Sequence, residues 1–282
     1  MKRILIFLFV AFAALPLASR GKQDNSKGTL TVISYNIRNG EAEDGTNSWR
    51  FRYAASAEMI EDQQPDVFGV QEAYLYQVQF LEQYPGNYKS LGVGREDGKQ
   101  DGEFMSIFYN TKTVKKIKWG TFWLSDTPEK PSKGWDGACR RTATWALLQD
   151  KRTGKKFYYV NTHLDHVGVE ARRNGLNLIV DRISSINPEG YPMVLTGDFN
   201  MTPDSPEFEG LRARMLDARE TAATTDHNIT YNGWGRKDTQ SVIDYIYYNG
   251  FSSCRSFETV TKPYAGFKFI SDHFPIKSVF EF

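Results

Sequence analysis

The sequence is poor in cysteine, which excludes two ways of stabilising a small fold. Only Cys139 and Cys254 occur in 282 residues, too few for a disulfide framework. They could form one bridge in an exported protein, or remain buried free thiols. The four histidines do not have the spacing that would complete a closed structural zinc site with them. We therefore expect neither a set of disulfides nor structural zinc to define the fold.

The sequence also lacks an excess of charge of either sign. With 35 basic and 34 acidic residues the formal net charge is +1, so the chain as a whole is not expected to be attracted to nucleic acid. Hydrophobic residues make up 40% of the chain, which excludes a disordered or fibrous protein. The length suits one large globular domain or two small ones.

The N-terminus has no apolar run long enough to span a bilayer comfortably. Residues 4–14 are apolar, follow Lys2 and Arg3, and precede a short stretch that ends in small residues. This pattern predicts a secretory signal peptide over residues 1–19, with cleavage near Ala18 or Ser19. The alternative is a permanent membrane anchor. We expect a secreted or periplasmic protein without stable membrane insertion.

The rest of the sequence predicts one α/β domain. Residues 20–28 form a polar linker, and residues 29–282 contain no internal repeat or interior linker. Apolar residues recur at helical spacing in residues 50–63, 74–83 and 170–186. Many predicted strands adjoin without a helix between them, so we expect a mixed sheet. The predicted strands are residues 30–36, 66–72, 104–109, 113–118, 142–149, 156–163, 193–196, 241–248 and 256–260.

Polar residues end or interrupt these predicted strands at six places. Asp244 is the clearest case, because it lies at the centre of an apolar segment where a carboxylate needs a partner. Each of the others could alone be a cap or a turn residue. Together they favour a shared site in which a divalent cation or a substrate phosphate compensates the charges. The positions are Asn36, Glu72, His163, Asp198 with Asn200, Asp244, and Asp272 with His273.

The sequence around these positions resembles the endonuclease/exonuclease/phosphatase superfamily. Residues 120–128 resemble a bacterial branch that is related to carbon catabolite repressor type exonucleases. The resemblance covers nearly all of residues 29–282 and implies that they form one catalytic domain. It implies a DNase I-like four-layer α/β sandwich, in which two mixed β-sheets are flanked by helices, and phosphoester hydrolysis that depends on Mg²⁺ or Mn²⁺. The ordered motifs are Ser34–Ile37, Gln71–Glu72, Asn161–Leu164, Gly197–Asn200, Ile243–Ile246 and Ser271–His273.

The resemblance implies roles for the motif residues. Glu72 would be the principal metal ligand, supported by Asn36, which suits a hard cation that prefers oxygen ligands. Asp198 would activate or orient the attacking water. Asn200 would position the phosphoryl oxygens of the substrate.

The two histidines of the motifs would contact the substrate phosphate. Asp272 would orient His273 and fix its tautomer or charge. Asp244 would either hold His163 or act as a second carboxylate near the metal, and the sequence leaves both interpretations open.

Three further residues have a functional and a structural interpretation, and a fourth has a functional one. Arg141 would contact a substrate phosphate, or else be a surface cation. Tyr109 would bind substrate from the strand after Gly102, or else pack in the core. Glu103 could approach the site from the same strand or lie on a solvated edge, and His166 could line the cleft.

The predicted function is hydrolysis of phosphoester bonds, of the nuclease or phosphatase type, by metal-assisted in-line attack of water. The substrate could be nucleic acid, a sugar or inositol phosphate, or a phospholipid head group. One alternative is a protein that binds a phosphorylated ligand without cleaving it. Another is a phospholipid-directed phosphodiesterase of the same fold, in which residues 264–269 would form a mobile aromatic loop. The sequence predicts no oligomeric state.

Overall fold

The computed structural model describes residues 28–84 and 86–282. The predicted signal peptide and most of the predicted linker lie outside the described residues. No helix in the described part of the chain is long and apolar enough to cross a membrane. The helices are α1 (Trp49–Gln63), α2 (Leu75–Gln83), α3 (Val169–Ile186), α4 (Glu209–Arg212) and α5 (Ala218–Thr221). The strands are β1 (Thr29–Asn36), β2 (Val67–Gln71), β3 (Tyr88–Leu91), β4 (Ile107–Asn110), β5 (Val114–Trp123), β6 (Thr142–Asp150), β7 (Lys156–His163), β8 (Met193–Asp198), β9 (Leu216–Asp217), β10 (Asp244–Asn249), β11 (Ser253–Thr259) and β12 (Ile276–Glu281).

These strands form two six-stranded sheets, and both sheets are mixed. The first sheet has the order β11-β12-β1-β2-β4-β3, and the second has the order β5-β6-β7-β8-β10-β9. Near the centre of each sheet one pair is parallel, β1 with β2 and β7 with β8. Each parallel pair is joined through a helix, α1 or α3, because parallel neighbours need a crossover connection.

Three clusters of buried apolar residues separate the layers of the molecule. The first cluster joins α1 and α2 to the first sheet and includes Met59 and Leu81. The second lies between the two sheets and includes Val32 and Tyr159. The third joins α3 to the second sheet and includes Ile179. The predicted four-layer sandwich, with two mixed sheets face to face and helices outside, is confirmed.

Strand β7 shows why these segments form strands with two buried faces. Phe157 and Tyr159 belong to the cluster between the sheets, whereas Tyr158 and Val160 belong to the cluster beneath α3. Successive side chains of a strand point to opposite faces, so aromatic and β-branched residues fill both sides. Burial of both faces explains why the sequence runs apolar here instead of alternating strictly with polar residues.

A buried polar residue ties the two sheets together close to the end that carries the polar motifs. Asn161 Nδ2 donates to two backbone carbonyls of the first sheet at 2.8 and 3.1 Å, and Asn161 Oδ1 accepts from Gln71 Nε2 at 2.7 Å. Gly69 provides the room, since a Cβ there would lie 2.5 Å from the Asn161 side chain. Unpaired polar groups would be costly at this depth, so the bonds fix the spacing of β2 and β7 just before Glu72 and His163.

The strand bounds differ from the sequence-based prediction around Asp244. Residues 241–248 were expected to form one strand with Asp244 at its centre, but β10 begins at Asp244 itself. Ser241 makes only an isolated bridge to Tyr231. Two strands that the pattern does not predict, β3 and β12, complete the first sheet. Asp244 is thus a residue at the start of a strand, level with the ends of the parallel strands β7 and β8.

Candidate active site

The six polar positions converge because of how the central strands are paired. Asn36 ends β1 and Glu72 follows β2 in the first sheet, while His163 ends β7 and Asp198 ends β8 in the second. The carboxyl ends of parallel neighbours meet at one edge, where open α/β sheets form a crevice. Asp244 joins them because β10 runs antiparallel to β8, with Asp244 opposite Asp198.

One amide group bridges the two sheets at the base of this crevice. Asn36 Nδ2 donates to Glu72 Oε1 and to Asp198 Oδ2, both at 3.0 Å. The backbone N–H of Asn39 donates to Glu72 Oε2 at 2.9 Å. Although burial opposes ionisation, these hydrogen bonds and the charge of His273 lower the pKa of Glu72. Glu72 is therefore a preorganised carboxylate, next to a second one from the opposite sheet.

Two residues of the site have backbone conformations that residues other than glycine rarely adopt. Glu72 has φ of 64° and Asn200 has φ of 51°. Each lies within two residues of the end of a central strand, β2 or β8. Left-handed conformations of this kind cost about 1–3 kcal/mol each and persist where the surroundings over-determine them. The chain thus turns sharply at both positions and directs both side chains back toward the crevice.

Asp198 is held on both carboxylate oxygens. Its Oδ1 accepts from the Asn200 backbone N–H at 2.9 Å, and its Oδ2 accepts from Asn36. Burial and the neighbouring charges of Asp244 and Glu72 raise the pKa of Asp198 to about 7. A carboxyl group with such a pKa can accept a proton near neutral pH, as a general base must.

His273 is paired with Asp244, and this corrects one prediction. His273 Nδ1 lies 2.8 Å from Asp244 Oδ2, and His273 Nε2 lies 3.7 Å from Asp198 Oδ2. Burial opposes the charge, but the two carboxylates raise the pKa of His273 well above its ordinary value. Of the two interpretations that the sequence leaves open for Asp244, the one in which it holds His163 is wrong, because the register of β10 places Asp244 next to the other histidine.

Asp272 has a different contact from the predicted one. Its Oδ1 accepts from the Ser271 hydroxyl at 3.2 Å, and its Oδ2 lies 3.6 Å from Arg38 Nη1. Burial and the nearby charge of Glu72 raise its pKa. The prediction that Asp272 orients His273 is wrong, since Asp244 holds the ring at Nδ1, but the charge of Asp272 does help to raise the pKa of His273. Asp272 instead connects the site to Arg38.

His163 and Asn200 interact with one another. Asn200 Nδ2 lies 3.0 Å from His163 Nε2 and also 3.0 Å from the Leu164 carbonyl oxygen, so both amide protons are used. Asn200 therefore orients His163, and its role in positioning the phosphoryl oxygens stays a prediction. His163 Nε2 then accepts, and the proton lies on Nδ1. Burial and the charge of Arg141 lower the pKa of His163 well below its ordinary value.

Arg141 lies buried in the same crevice with unused donors. Its Nη2 contacts His166 Nδ1 at 3.0 Å, and its Nε lies 3.5 Å from Asp165 Oδ2. Asp165 is already saturated by four backbone N–H groups, which hold its pKa far below the ordinary value despite burial. Within the described residues, Arg141 Nε and Nη1 have no hydrogen-bond partner, and neither has His163 Nδ1. Arg141 Nη1 and His163 Nδ1 are thus buried donors without an acceptor, and both residues line the same cavity.

The cavity that these groups share has a volume of about 580 Å³. Arg95 and Glu103 lie on its wall and form an ion pair at 2.5 Å. Burial and the charge of Glu72 raise the pKa of Glu103. Arg38 and Arg95 are site residues that the sequence analysis missed; Arg38 directly follows a motif, whereas no local pattern marks Arg95. The cavity brings together Arg38, Glu72, Arg95, Glu103, Cys139, Arg141, His163, His166, Asp198, Asn200, Asp272 and His273.

Tyr109 does not lie in this cavity. In the antiparallel pairing of β2 with β4, Tyr109 is opposite Val67 at the start of β2, whereas Glu72 follows the end of β2. Tyr109 packs against the apolar cluster between the sheets. The prediction that Tyr109 binds substrate is wrong, and its alternative, core packing, fits the structure.

The residues around Glu72 fit a hard divalent cation. Ligand atoms of Glu72, His163 and Asp198 lie within 4.8 Å of one another. Four carboxylates gather here, those of Glu72, Asp198, Asp244 and Asp272, against the positive charges of His273 and Arg38. Arg38 is itself paired with Asp44 at 2.9 Å. Oxygen ligands in excess of their counter-charges are the environment that Mg²⁺ and Mn²⁺ prefer.

Comparison with known proteins gives the same residues a family context. The model of the Endonuclease/Exonuclease/phosphatase family matches residues 33–273, which include all six polar positions. The crystal structure of an endonuclease/exonuclease/phosphatase from Bacteroides vulgatus is 36% identical, with a TM-score of 0.85 over 90% of this chain and 99% of that one.

Two further relatives span most of the chain. The mannosyl-6-phosphatase of Bacteroides thetaiotaomicron VPI-5482 is 33% identical, with a TM-score of 0.85, and covers 90% of this chain and 100% of its own. A protein of Acanthamoeba polyphaga mimivirus is 28% identical over 254 residues, which are 83% of this chain and 92% of that protein. The similarity is therefore not confined to the motifs.

Proposed function

We propose a metal-dependent phosphatase function for this chain, which belongs to the endonuclease/exonuclease/phosphatase family. The family and its fold support phosphoester hydrolysis. The finer proposal is that the substrate is a small phosphomonoester and that turnover requires Mg²⁺ or Mn²⁺. One observation carries this proposal. On one side of the cavity carboxylates are in excess, and on the other side buried hydrogen-bond donors have no acceptor.

A phosphomonoester satisfies both sides of that cavity at once. Its oxygens can accept from Arg141 Nη1 and from His163 Nδ1, for which the described chain offers no acceptor. An unpaired buried donor costs about 1–3 kcal/mol, so a phosphate that pairs it recovers free energy on binding. Arginine is well suited to this contact because its planar fork matches phosphate geometry.

The carboxylate side would hold the metal through Glu72, with Asn36 beside it. A bound divalent cation would polarise the phosphoryl group or assist the leaving oxygen. Whether or not a metal is bound, the Asn36 amide also holds Glu72 and Asp198 at a fixed separation. Because both carboxylates are already in place, they need not move when the reaction occurs.

Asp198 is the residue we propose to accept the proton of the attacking water. Both of its oxygens are fixed, and its pKa of about 7 suits that step near neutral pH. His273, kept charged by Asp244, lies 3.7 Å from Asp198 and places a positive charge where the equatorial oxygens gain negative charge. His163, which remains neutral, donates through Nδ1 and takes no part in proton transfer.

The substrate class follows from the relatives and from the cavity. One relative that matches over nearly the whole chain is a mannosyl-6-phosphatase, which supports a sugar phosphate as the substrate of this chain as well. A volume of about 580 Å³ accommodates a small ligand in the usual range of such sites. No observation favours the phospholipid alternative, because Tyr264 is buried and Phe267 packs on the core.

The first test compares wild type with Asp198→Asn on phosphomonoesters and phosphodiesters, with Mg²⁺, Mn²⁺ or EDTA. We expect metal-dependent release of phosphate from monoesters, reduced about 10²–10⁴-fold in the variant. Asp204→Asn, at an exposed aspartate outside the cavity, is the matched control and should be fully active. Phosphate-ligand binding by wild type without turnover of any ester would support the non-catalytic alternative instead.

We also propose that the protein is exported, on the basis of the signal pattern in residues 1–19. Fractionation of cells that express the full chain should find the activity outside the cytoplasm, with the N-terminus shortened. A variant without residues 2–19 should remain inside. Recovery of uncleaved full-length chain in the membrane fraction would instead favour the membrane anchor.

A further inference from the structure

A second cavity adjoins the catalytic one. Its volume is about 460 Å³, and Ala42 lines both cavities. Glu41, Glu43, Trp49 and Tyr76 line the second cavity and not the first. None of these residues has a part in the proposed phosphate or metal contacts, so the second cavity is available for another part of the substrate.

The segment that the two cavities share is held in place by hydrogen bonds. It is the segment 38–44, which begins next to the metal-ligand candidate, where the Asn39 N–H donates to Glu72. Farther along, the Gly40 N–H donates to Gln77 Oε1 at 3.0 Å. Gly40 also allows a close approach, since a Cβ there would lie 2.1 Å from the Tyr76 hydroxyl. The geometry of the second cavity is thus fixed relative to the first.

Tyr76 lines the second cavity and lies next to Tyr74, which lines neither cavity. The rings of Tyr74 and Tyr76 are nearly parallel, with an interplanar angle of 13° and 6.5 Å between centroids. Tyr74 is half-buried. Tyr76 is 41% exposed. The second cavity therefore presents one tyrosine face to a ligand.

The charge of this cavity argues against a second phosphate. Glu41 and Glu43 are exposed carboxylates, and Arg50 is the cation among its lining residues. Recognition of a polynucleotide needs lysine and arginine along the phosphates. A neutral polyhydroxyl ring suits this lining, because hydroxyls donate to carboxylates and the C–H face of the ring packs on an aromatic side chain.

We propose that the second cavity is a sugar subsite, which binds the polyhydroxyl moiety of a phosphomonoester whose phosphate lies in the catalytic cavity. The inference rests on the proposed phosphatase function and names its substrate class. Tyr76 supplies the packing surface, and Glu41 and Glu43 accept from the hydroxyl groups. The subsite makes these three residues determinants of specificity without contact to the reacting atoms.

The test uses a matched pair of substrates, a hexose 6-phosphate and phenyl phosphate, which share the phosphate but differ in the polyhydroxyl moiety. Glu43→Gln and Tyr76→Ala should each lower kcat/KM for the hexose phosphate about tenfold and leave that for phenyl phosphate within about twofold. Tyr53→Ala is the control, since Tyr53 is 43% exposed on α1 and lines neither cavity. Glu43 is exposed, so Glu43→Gln remains informative if Tyr76→Ala is unstable.

The outcomes separate the subsite from the phosphatase function. Equal losses on both substrates, or no loss on either, would overturn the subsite while leaving the phosphatase in place. A loss confined to single-stranded oligonucleotides would identify a base-stacking surface and would also overturn it. If wild type hydrolyses neither monoester, the phosphatase proposal fails by itself. Calorimetry of hexose 6-phosphate binding to Asp198→Asn then tests the subsite separately. The subsite is refuted if the sugar phosphate does not bind, or if adding Glu43→Gln leaves its affinity unchanged.

Discussion

Two histidines on opposite sides of the catalytic cavity have pKa values shifted in opposite directions. His273 and His163 both place Nε2 near Asp198 Oδ2, at 3.7 and 3.4 Å, and both are buried. Beside His273 lies the carboxylate of Asp244, which raises its pKa against the effect of burial. Around His163 burial and then Arg141 act together to lower the pKa. One histidine is a fixed cation and the other a fixed neutral donor.

This difference shows that the neighbours of a residue determine its role. Both histidines lie in sequence motifs that mark them equally well, yet only His273 has a carboxylate on its second ring nitrogen. His163 has Asn200 on Nε2 and, among the described residues, nothing on Nδ1. Groups whose environments push their pKa values apart can divide charge stabilisation and hydrogen-bond donation between them. The following predictions separate the two sides, beginning with the largest effect.

Removal of the charged histidine should have the largest effect. We expect His273→Gln to lower kcat by about 10²–10⁴-fold, because it removes a preorganised positive charge from the developing equatorial oxygens. His227→Gln is the control, since His227 is exposed in a loop outside the cavity. Steady-state kinetics with saturating metal measures both. A loss expressed only in KM would mean that His273 binds the ground state and gives no added stabilisation in the transition state.

The partner of that histidine should have a smaller, pH-dependent effect. In Asp244→Asn the pKa of His273 falls, so the alkaline limb of the pH–rate profile should move to lower pH, with a loss of about 10–100-fold above neutrality. His273 has a raised folded pKa, so the ion pair stabilises the fold fully below about pH 6.5 and loses this contribution as pH rises through the folded pKa.

The stability measurement belongs to the metal-free protein. With EDTA present, the difference in free energy of unfolding between wild type and Asp244→Asn should be largest at about pH 5–6, below the ordinary pKa of histidine and above that of a carboxyl group, and should shrink as the pH rises. Chemical denaturation at several pH values gives this difference. A constant difference from acid to alkaline pH would show that Asp244 acts through packing or hydrogen bonding alone, and not through the charge of His273.

Most of the fold, and the positions of the motif residues, could be predicted because the signals are local. Strand ends carry a polar residue after an apolar run, and strands β1, β7 and β8 agree with the prediction to within two residues. The helical spacing of α3, with Ile179 on its buried face, is equally local. The pattern failed for Tyr109, because only the antiparallel register of β4 against β2 places it at the far end from Glu72.

The partners within the site could not be predicted, since they depend on contacts between distant segments. Asp244 is paired with His273 because β10 is in register with β8, and nothing near Asp244 in the sequence specifies this. Arg95 reaches the cavity from a loop without a local pattern. The left-handed backbone of Glu72 is likewise invisible in the sequence, because residues with side chains seldom adopt it.

Replacement of Arg141, which lies on the side of the cavity that holds the neutral His163, should have the smallest effect. We expect Arg141→Met to raise KM for a phosphomonoester about tenfold, the usual value of one charge-assisted hydrogen bond, with little change in kcat.

In Arg141→Met the pKa of His163 should rise but stay below its ordinary value, because burial, the first cause of its depression, remains. Titration of the His163 ring by NMR, in EDTA, measures this shift. Arg141→Lys, which keeps the positive charge, should leave that pKa near the wild-type value. If both variants shift the pKa of His163 equally, the depression comes from packing of the guanidinium and not from its charge, and the two sides of the cavity differ in burial instead of electrostatics.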